Sequence, residues 1–217
     1  MHNPTVAHLK LVQRILQYLK GTIATGLCLS SYTTLDLHAF SDADWVGCSI
    51  TRRSTTDYCT LLGTNIISWC AKKQHTISRS STEAEYRAMT NNTAELTWLT
   101  YILTDLCISL SHPPVLYCDN ISALYMAINP VFHARSKHIE LDYHFVRERV
   151  VLGLLVTKHV SSANQVADIF TKPVPKAALS YFRNKLCLQP RLSLRGDSSN
   201  LQSPVSNNRE SISQIME

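Results

Sequence analysis

Apolar residues recur at helical spacing in the opening segment and again after Ser81. From Val6 to Leu19 they follow one stripe, and Gly21 can end that helix. The stretch from Ser81 to Cys107 contains neither Gly nor Pro and is the longest predicted helix. Shorter helices are predicted at Ile121–Ile128, Ile139–Val151 and Lys176–Leu186.

Segments rich in strand formers separate these helices. Alternation over residues 35–39 predicts a first strand, and Tyr58–Leu62 and Ile66–Trp69 continue it as an antiparallel meander. Val115–Tyr117 is apolar without alternation, which is typical of a strand buried on both faces beside a parallel neighbour. A last strand is predicted at Leu154–Val160. We therefore expect an α/β protein with a mixed five-stranded sheet, three antiparallel strands and then parallel strands, flanked by helices.

The composition indicates one main domain and a polar tail. At 217 residues, with 45% hydrophobic and 17% charged residues, the chain can bury one sizeable core. Residues 188–217 turn to Ser, Asn, Gln and Arg and cannot offset the entropy of ordering, which predicts a disordered tail. The tail has no net charge, so the formal charge of +5 lies before it and favours a polyanionic partner.

Cysteine usage and hydropathy indicate the compartment. The seven cysteines form no Cys-x-x-Cys pair, and no secretory leader precedes them. No apolar run approaches the roughly 20 residues that span a bilayer. We expect an intracellular protein, in a cytoplasmic particle or the nucleus, that is neither secreted nor bound to a membrane.

Acidic residues stand at the ends of three predicted strands and near the start of the longest helix. Asp42, Asp119 and Asp168 each stand at or just beyond the end of a predicted strand, although Asp is disfavoured in strands. Glu85 lies on the helix. Four acids so placed can converge on one rim of the sheet, where their repulsion requires protons or cations. Oxygen ligands in that number suit Mg²⁺ or Mn²⁺. A single Asp at a strand end is more often a turn or a helix cap, so the prediction depends on the four together.

Six strings, in order along the chain, carry a family resemblance. They are Phe-Ser-Asp-Ala-Asp-Trp from Phe40, Thr-Arg-Arg-Ser-Thr from Thr51, Ser-Arg-Ser-Ser-Thr-Glu-Ala-Glu-Tyr from Ser78, Tyr-Cys-Asp-Asn from Tyr117, Lys-His-Ile-Glu from Lys137 and Ala-Asp-Ile-Phe-Thr-Lys from Ala167. They closely resemble the ribonuclease H region of copia-type Pol polyproteins of LTR retrotransposons. The resemblance implies three parts: residues 1–30 as a remnant of the segment downstream of the reverse transcriptase, a ribonuclease H-like domain over 35–187, and the tail over 188–217.

The resemblance also implies an activity and a site. It implies an RNA–DNA hybrid endoribonuclease that hydrolyses the RNA strand by a two-metal mechanism, working beside a reverse transcriptase domain of the full polyprotein. The catalytic and metal-binding acids would be Asp42, Glu85, Asp119 and Asp168, with two Mg²⁺ or Mn²⁺ ions. Glu83 competes closely with Glu85, but side chains two residues apart on a helix face different directions, so only one can join the cluster.

Candidate nucleic-acid contacts lie in loops beside this site. They are Arg52, Arg53, Lys72, Lys73, Arg79 and Asn120. Two departures from the family pattern stand out. Residues 161–165 lack the His that related ribonucleases H often place before the last acid, and Asp57 stands where the family usually has Gly.

Two other readings remain open. One is a catalytically silent ribonuclease H-like module from a degenerate element, which keeps the architecture as a structural or nucleic-acid-binding domain. The other is a zinc-binding domain built on His133, His138 and His144, whose spacing loosely resembles that of zinc ligands. Against the zinc site, no Cys pair is present, and His138 and His144 are six residues apart near a predicted helix and poorly aligned on it.

Overall fold

The structure is a computed structural model and describes residues 3–129 and 139–190. The elements are, in chain order, α1 (Val6–Thr22), β1 (Thr25–Leu27), β2 (Leu37–Asp44), β3 (Thr55–Leu62), β4 (Asn65–Lys73), α2 (Ser81–Asp105), β5 (Val115–Cys118), α3 (Ile121–Ile128), α4 (Glu140–Val151), β6 (Val156–His159), α5 (Lys176–Lys185) and β7 (Leu188–Pro190). Two short 3-10 helices, Ser162–Asn164 and Val166–Phe170, lie between β6 and α5. Every helix and strand predicted from the apolar pattern is present, whereas β1 and β7 were not predicted.

The described residues form two compact units. The larger runs from Leu29 to Cys187, and the smaller contains α1, β1 and β7. In the smaller unit β1 pairs antiparallel with β7, and α1 buries none of its side chains. The predicted tail therefore begins with a short strand, and residues 191–217 lie outside the described residues. Within the described ranges, no helix combines the length and the apolar character that crossing a membrane requires.

The larger unit is built on a five-stranded sheet in the order β4-β3-β2-β5-β6. The first three strands pair antiparallel, while β5 is parallel to both β2 and β6. This arrangement confirms the predicted mixed sheet. Because β2 lies between β3 and β5, all of its residues except His38 and Asp44 are buried, including the polar Ser41 and Asp42.

One edge of this sheet collects several element ends. Asp44, at the end of β2, pairs with Thr55 at the start of β3, which in turn pairs with Lys73 at the end of β4. Cys118 ends β5 beside Ser41 of β2. Residues at these positions are therefore neighbours, although they are far apart in the sequence.

Helix α2 begins at the same edge because its first turns are tied to the sheet. Gln74, which follows β4, donates from Nε2 to the carbonyl of Ala84 at 2.9 Å and to Thr56 Oγ1 at 3.1 Å. The Ser80 side chain caps the helix by accepting from the Glu83 amide at 3.2 Å. Farther along, α2 packs its apolar face on the main core. The core members from α2 and the two central strands are Tyr86, Met89, Leu96, Leu37, Ala39, Leu116 and Cys118.

Asn92 joins α2 to the centre of the sheet. Its side chain is fully buried, donates from Nδ2 to the Phe40 carbonyl at 3.2 Å and accepts from Thr60 Oγ1 at 3.3 Å. Buried polar groups of this kind fix the register of one layer on another, because a shifted helix would leave them unpaired.

We expect Asn92→Ala to destabilise the protein by about 2 kcal/mol, since it leaves the Thr60 hydroxyl unpaired in the core and opens a cavity. Urea unfolding followed by circular dichroism measures this loss. Asn91→Ala, at the exposed neighbouring position, is the matched control and should stay within about 0.5 kcal/mol of wild type. Equal losses in the two variants would contradict the anchoring role of Asn92.

Candidate metal centre

Asp42 lies at the centre of the acidic cluster. It is 1% exposed, and β2 continues for two residues beyond it, so Asp42 lies inside the strand rather than at its end. Burial disfavours the charge, but hydrogen bonds with Lys172, Asp168 and Glu85 outweigh it, and the pKa of Asp42 lies below its ordinary value. Asp42 is therefore the acid of the cluster that stays ionised most readily.

Glu85 reaches Asp42 from the second turn of α2. The side chain is buried, and its Oε2 has no hydrogen-bond partner among the described residues. Burial, the charge of Asp42, a hydrogen bond with Asp42 and the charge of Asp119 raise the pKa of Glu85 to about 10. Glu85 is consequently protonated at neutral pH when no metal ion is bound.

Asp119 follows β5 and closes another side of the cluster. Ligand atoms of Glu85, Cys118 and Asp119 lie within 4.8 Å of one another, so these side chains can share one ion. Ser162 Oγ donates to Asp119 Oδ2 at 2.8 Å. Ser162 comes from the segment that lacks the expected His, so this loop contacts the cluster through a hydroxyl group instead.

Asp168 comes from the 3-10 helix Val166–Phe170, and Gln165 positions this helix. Gln165 is fully buried and donates from Nε2 to the Ser41 carbonyl of β2 at 2.9 Å. Burial, hydrogen bonding with Asp42 and the charge of Asp42 raise the pKa of Asp168 to about 6, despite the opposing hydrogen bond from Lys172. The structure thus brings all four predicted acids together around Asp42.

Lys172 is a site residue that the sequence analysis did not identify. Its Nζ lies 2.6 Å from Asp42 Oδ2 and 2.7 Å from Asp168 Oδ1. These contacts raise the pKa of Lys172 above its ordinary value against the opposing effect of burial. The sequence signal that could have identified it is a basic residue four positions after Asp168.

The structure also separates the two competing glutamates. Glu83 accepts from the Arg79 amide at 2.9 Å and forms an ion pair with Arg87 Nη2 at 2.7 Å. These contacts give Glu83 a structural role at the start of α2. Glu85, with an unpaired oxygen and with Asp42 as neighbour, is the acid that joins the cluster.

Asp57 adds a fifth carboxyl group beside the four. It is the cross-strand partner of Asp42, so both side chains lie on the same face of the sheet, and it is fully buried. Thr171 Oγ1 donates to Asp57 Oδ2 at 2.9 Å, while Oδ1 has no partner among the described residues. Burial and the charge of Asp42 raise the pKa of Asp57 to about 8. From the sequence, Asp57 stood out only as a departure from the family pattern, and the structure places it within β3.

The donor set fits a hard divalent cation. Five carboxyl groups share one edge of the sheet, buried oxygens of Glu85 and Asp57 lack partners within the described ranges, and three of these pKa values are raised. Raised pKa values mean that the metal-free cluster is short of positive charge. Carboxylate oxygens in such a group are the ligands that Mg²⁺ and Mn²⁺ prefer.

The candidate nucleic-acid contacts lie at the same edge of the sheet. Arg52 and Arg53 belong to the exposed β2–β3 connection, Lys72 and Lys73 end β4, and Arg79 precedes α2. Lys73 Nζ also donates to Cys48 Sγ at 3.1 Å in that connection. Asn120 differs from the others, because its side-chain oxygen caps α3 by accepting from the Ala123 amide at 3.0 Å. Of the alternative zinc ligands, His133 and His138 lie outside the described residues.

Comparisons with known proteins show which proteins this chain is related to. No protein-family model matches the chain. The chain is 50% identical over 186 residues to the retrovirus-related Pol polyproteins from transposons RE2 and RE1 of Arabidopsis thaliana, and 37% identical over 176 residues to that from transposon TNT 1-94 of Nicotiana tabacum. Its homologues include retrovirus-related Pol polyproteins from transposons.

The matches cover 86% of the chain for the two Arabidopsis polyproteins and 81% for the tobacco one. The chain spans only 13% of the length of each of these Pol polyproteins. The sheet order and strand directions confirm the predicted α/β fold, a mixed five-stranded sheet flanked by helices. The resemblance to transposon Pol polyproteins is likewise confirmed.

Solved structures similar to this chain include ribonuclease H domains. A ribonuclease H1 isolated from compost matches with a TM-score of 0.47 and 14% identity, covering 63% of this chain and 93% of that one. The N-terminal ribonuclease H domain of a Mycobacterium tuberculosis protein matches with a TM-score of 0.47 and 10% identity, covering 70% and 98%.

The different environments of the two glutamates lead to opposite effects on stability. Glu83→Gln breaks the ion pair with the largely buried Arg87 and should lower the free energy of unfolding by about 2 kcal/mol. Glu85→Gln removes an acid whose folded pKa, about 10, lies far above its unfolded value. In EDTA at pH 8 it should raise the free energy of unfolding by at least about 1 kcal/mol. Urea unfolding of both variants measures these changes, and a loss of stability in Glu85→Gln would contradict this assignment.

Asp57 should make stability fall as the pH rises. Its folded pKa of about 8 exceeds the unfolded value, so between about pH 4 and pH 8 the folded state holds a proton that the unfolded state has released. Stability is greatest below that window and is lost through it, by up to about 1.4 kcal/mol per pH unit. Asp57→Asn should remove this contribution.

Urea unfolding in EDTA at several pH values between 5 and 7.5 tests the effect of Asp57. The difference between wild type and Asp57→Asn isolates this residue from Glu85 and Asp168, which both proteins keep. Asp105→Asn, at the exposed end of α2, is the control and should follow wild type. Parallel curves for wild type and Asp57→Asn would mean that Asp57 is already ionised in the folded state.

Proposed function

We propose that this transposon Pol segment is an RNA–DNA hybrid ribonuclease that hydrolyses the RNA strand with two divalent metal ions. One observation carries the proposal: Glu85, Asp119 and Asp168 come from separate parts of the chain and meet around the buried carboxylate of Asp42. Such a concentration of buried acid costs stability, and a fold keeps it where a cation compensates.

The four acids would hold the ions, Mg²⁺ or Mn²⁺. Bound there, the ions would supply a lowered pKa for a water molecule and compensating charge for the leaving 3′ oxygen of an in-line displacement. The chain supplies the rest. The β2 strand fixes Asp42, the contact of Gln165 with Ser41 fixes the backbone before Asp168, and Ser162 orients Asp119. The products would carry a 5′ phosphate and a 3′ hydroxyl group.

Recognition of the hybrid would use the basic residues at the same edge of the sheet. Arg52, Arg53, Lys72, Lys73 and Arg79 are exposed there, and they would contact phosphate groups and read backbone shape and 2′ hydroxyls rather than base sequence. Asn120 would contribute its amide nitrogen, since its oxygen caps α3. In the full polyprotein a reverse transcriptase domain would supply the hybrid, with residues 1–30 as part of the connection to it.

Cleavage of a 5′-labelled RNA strand in an RNA–DNA hybrid tests this function on the full chain. In Mg²⁺, and then in Mn²⁺, wild type should cut the hybrid and leave single-stranded RNA and double-stranded DNA intact. Asp119→Asn should lower the rate at least about a hundredfold, the scale expected when one charged contact to the transition state is lost. Asp105→Asn, an exposed acid at the end of α2, should cut like wild type.

One result of this experiment would favour a second function. If wild type is folded and binds the hybrid but is as inert as Asp119→Asn in both metals, the domain is a catalytically silent ribonuclease H-like module. Asp57 lies beside Asp42 at a position where the family usually has Gly, and this departure favours the catalytically silent module.

A further inference from the structure

Lys172 places an ammonium group between two of the acids proposed to hold the ions. Its Nζ is 2.6 Å from Asp42 Oδ2 and 2.7 Å from Asp168 Oδ1. Both distances are those of short, charge-assisted hydrogen bonds. The half of the cluster formed by Asp42 and Asp168 therefore already contains one cation, and the cation belongs to the chain.

The other half of the cluster differs. Glu85 and Asp119 have ligand atoms within 4.8 Å of each other, and within residues 3–129 and 139–190 no ion pair joins a basic side chain to either acid. The two halves of the cluster should consequently bind metal ions with different affinities.

We infer that Lys172 occupies the Asp42–Asp168 half of the metal centre and that a divalent ion binds there only by displacing its ammonium group. This inference rests on the proposed function, since it concerns the same site. Mg²⁺ holds its oxygen ligands at about 2.1 Å, closer than an ammonium group does, and the two cations repel each other at that range. They cannot share the same two carboxylate oxygens.

The side chain is able to leave. Lys172 is 40% exposed, so its stem can swing into solvent without opening the core. The backbone around it stays fixed, because the Lys172 amide donates to the Asp168 carbonyl at 2.9 Å and Thr171 is held by Asp57. Lys172 thus acts as a positioning residue: it keeps Asp42 and Asp168 together without metal and yields its place when the second ion arrives.

Calorimetric titration of Mn²⁺ into the full, EDTA-treated chain tests the exchange. Wild type should show a stronger and a weaker binding step. In Lys172→Met the weaker step should tighten roughly ten- to a hundredfold, because the ion no longer competes with charged hydrogen bonds. Lys172→Arg, which keeps the charge, and Lys176→Met, at an exposed position on α5, should both bind like wild type. A merely structural role for Lys172 would give weaker binding instead.

The outcomes separate this inference from the function on which it rests. Unchanged or weaker Mn²⁺ binding in Lys172→Met, while wild type binds two ions, overturns the exchange and leaves the ribonuclease proposal standing. Failure of wild type and variant alike to bind Mn²⁺ removes both proposals.

Amine labelling of the wild-type chain gives a second test that needs no variant. Acetylation of Lys172, followed by mass spectrometry, should rise several-fold when Mn²⁺ releases the ammonium group from its two carboxylates. Lys176 should label equally with and without Mn²⁺. A rate of labelling at Lys172 that Mn²⁺ leaves unchanged contradicts the exchange, whatever the behaviour of Lys172→Met.

Discussion

The repulsion among buried carboxyl groups around Asp42 is the constraint on which this structure depends. Asp42 is 1% exposed in the central strand, and Glu85, Asp57, Asp119 and Asp168 surround it. Few of these acids can be ionised together without a cation, because burial removes the water that would otherwise screen them. The raised pKa values of three of them, and the ammonium group of Lys172 between two of them, are two responses to that constraint.

The remainder of the larger unit can be understood as support for this cluster. Gln74 holds the start of α2 against the sheet, Asn92 fixes its register, and Gln165 ties the segment before Asp168 to β2. Each of these is a buried amide with specific partners, so each fixes a position that apolar packing alone would leave adjustable. The acids are thereby held by three separate contacts from outside the cluster.

Much of the fold and the convergence of the four acids could be predicted, for a physical reason. Helix and strand periodicity is a local property, so α2 and the central strands are visible in the order of apolar residues. Acids at element ends are unusual locally as well, which is why Asp42, Glu85, Asp119 and Asp168 stood out. The short strands β1 and β7 were not predicted, because a three-residue strand exists only through its partner, here more than 160 residues away.

Only the tertiary structure decided how residues that are distant along the chain are placed relative to one another. The sequence by itself determined the sheet, the helices and the acids available to a metal centre, since these follow from local pattern and residue chemistry. It did not show that Glu83 pairs with Arg87 whereas Glu85 joins the cluster. It also did not reveal that Asp57 is the partner of Asp42 on the adjacent strand. It also did not identify Lys172 as a cation inside the cluster. Those outcomes depend on register and on which buried charge finds a partner, and both are settled by packing rather than by local preference.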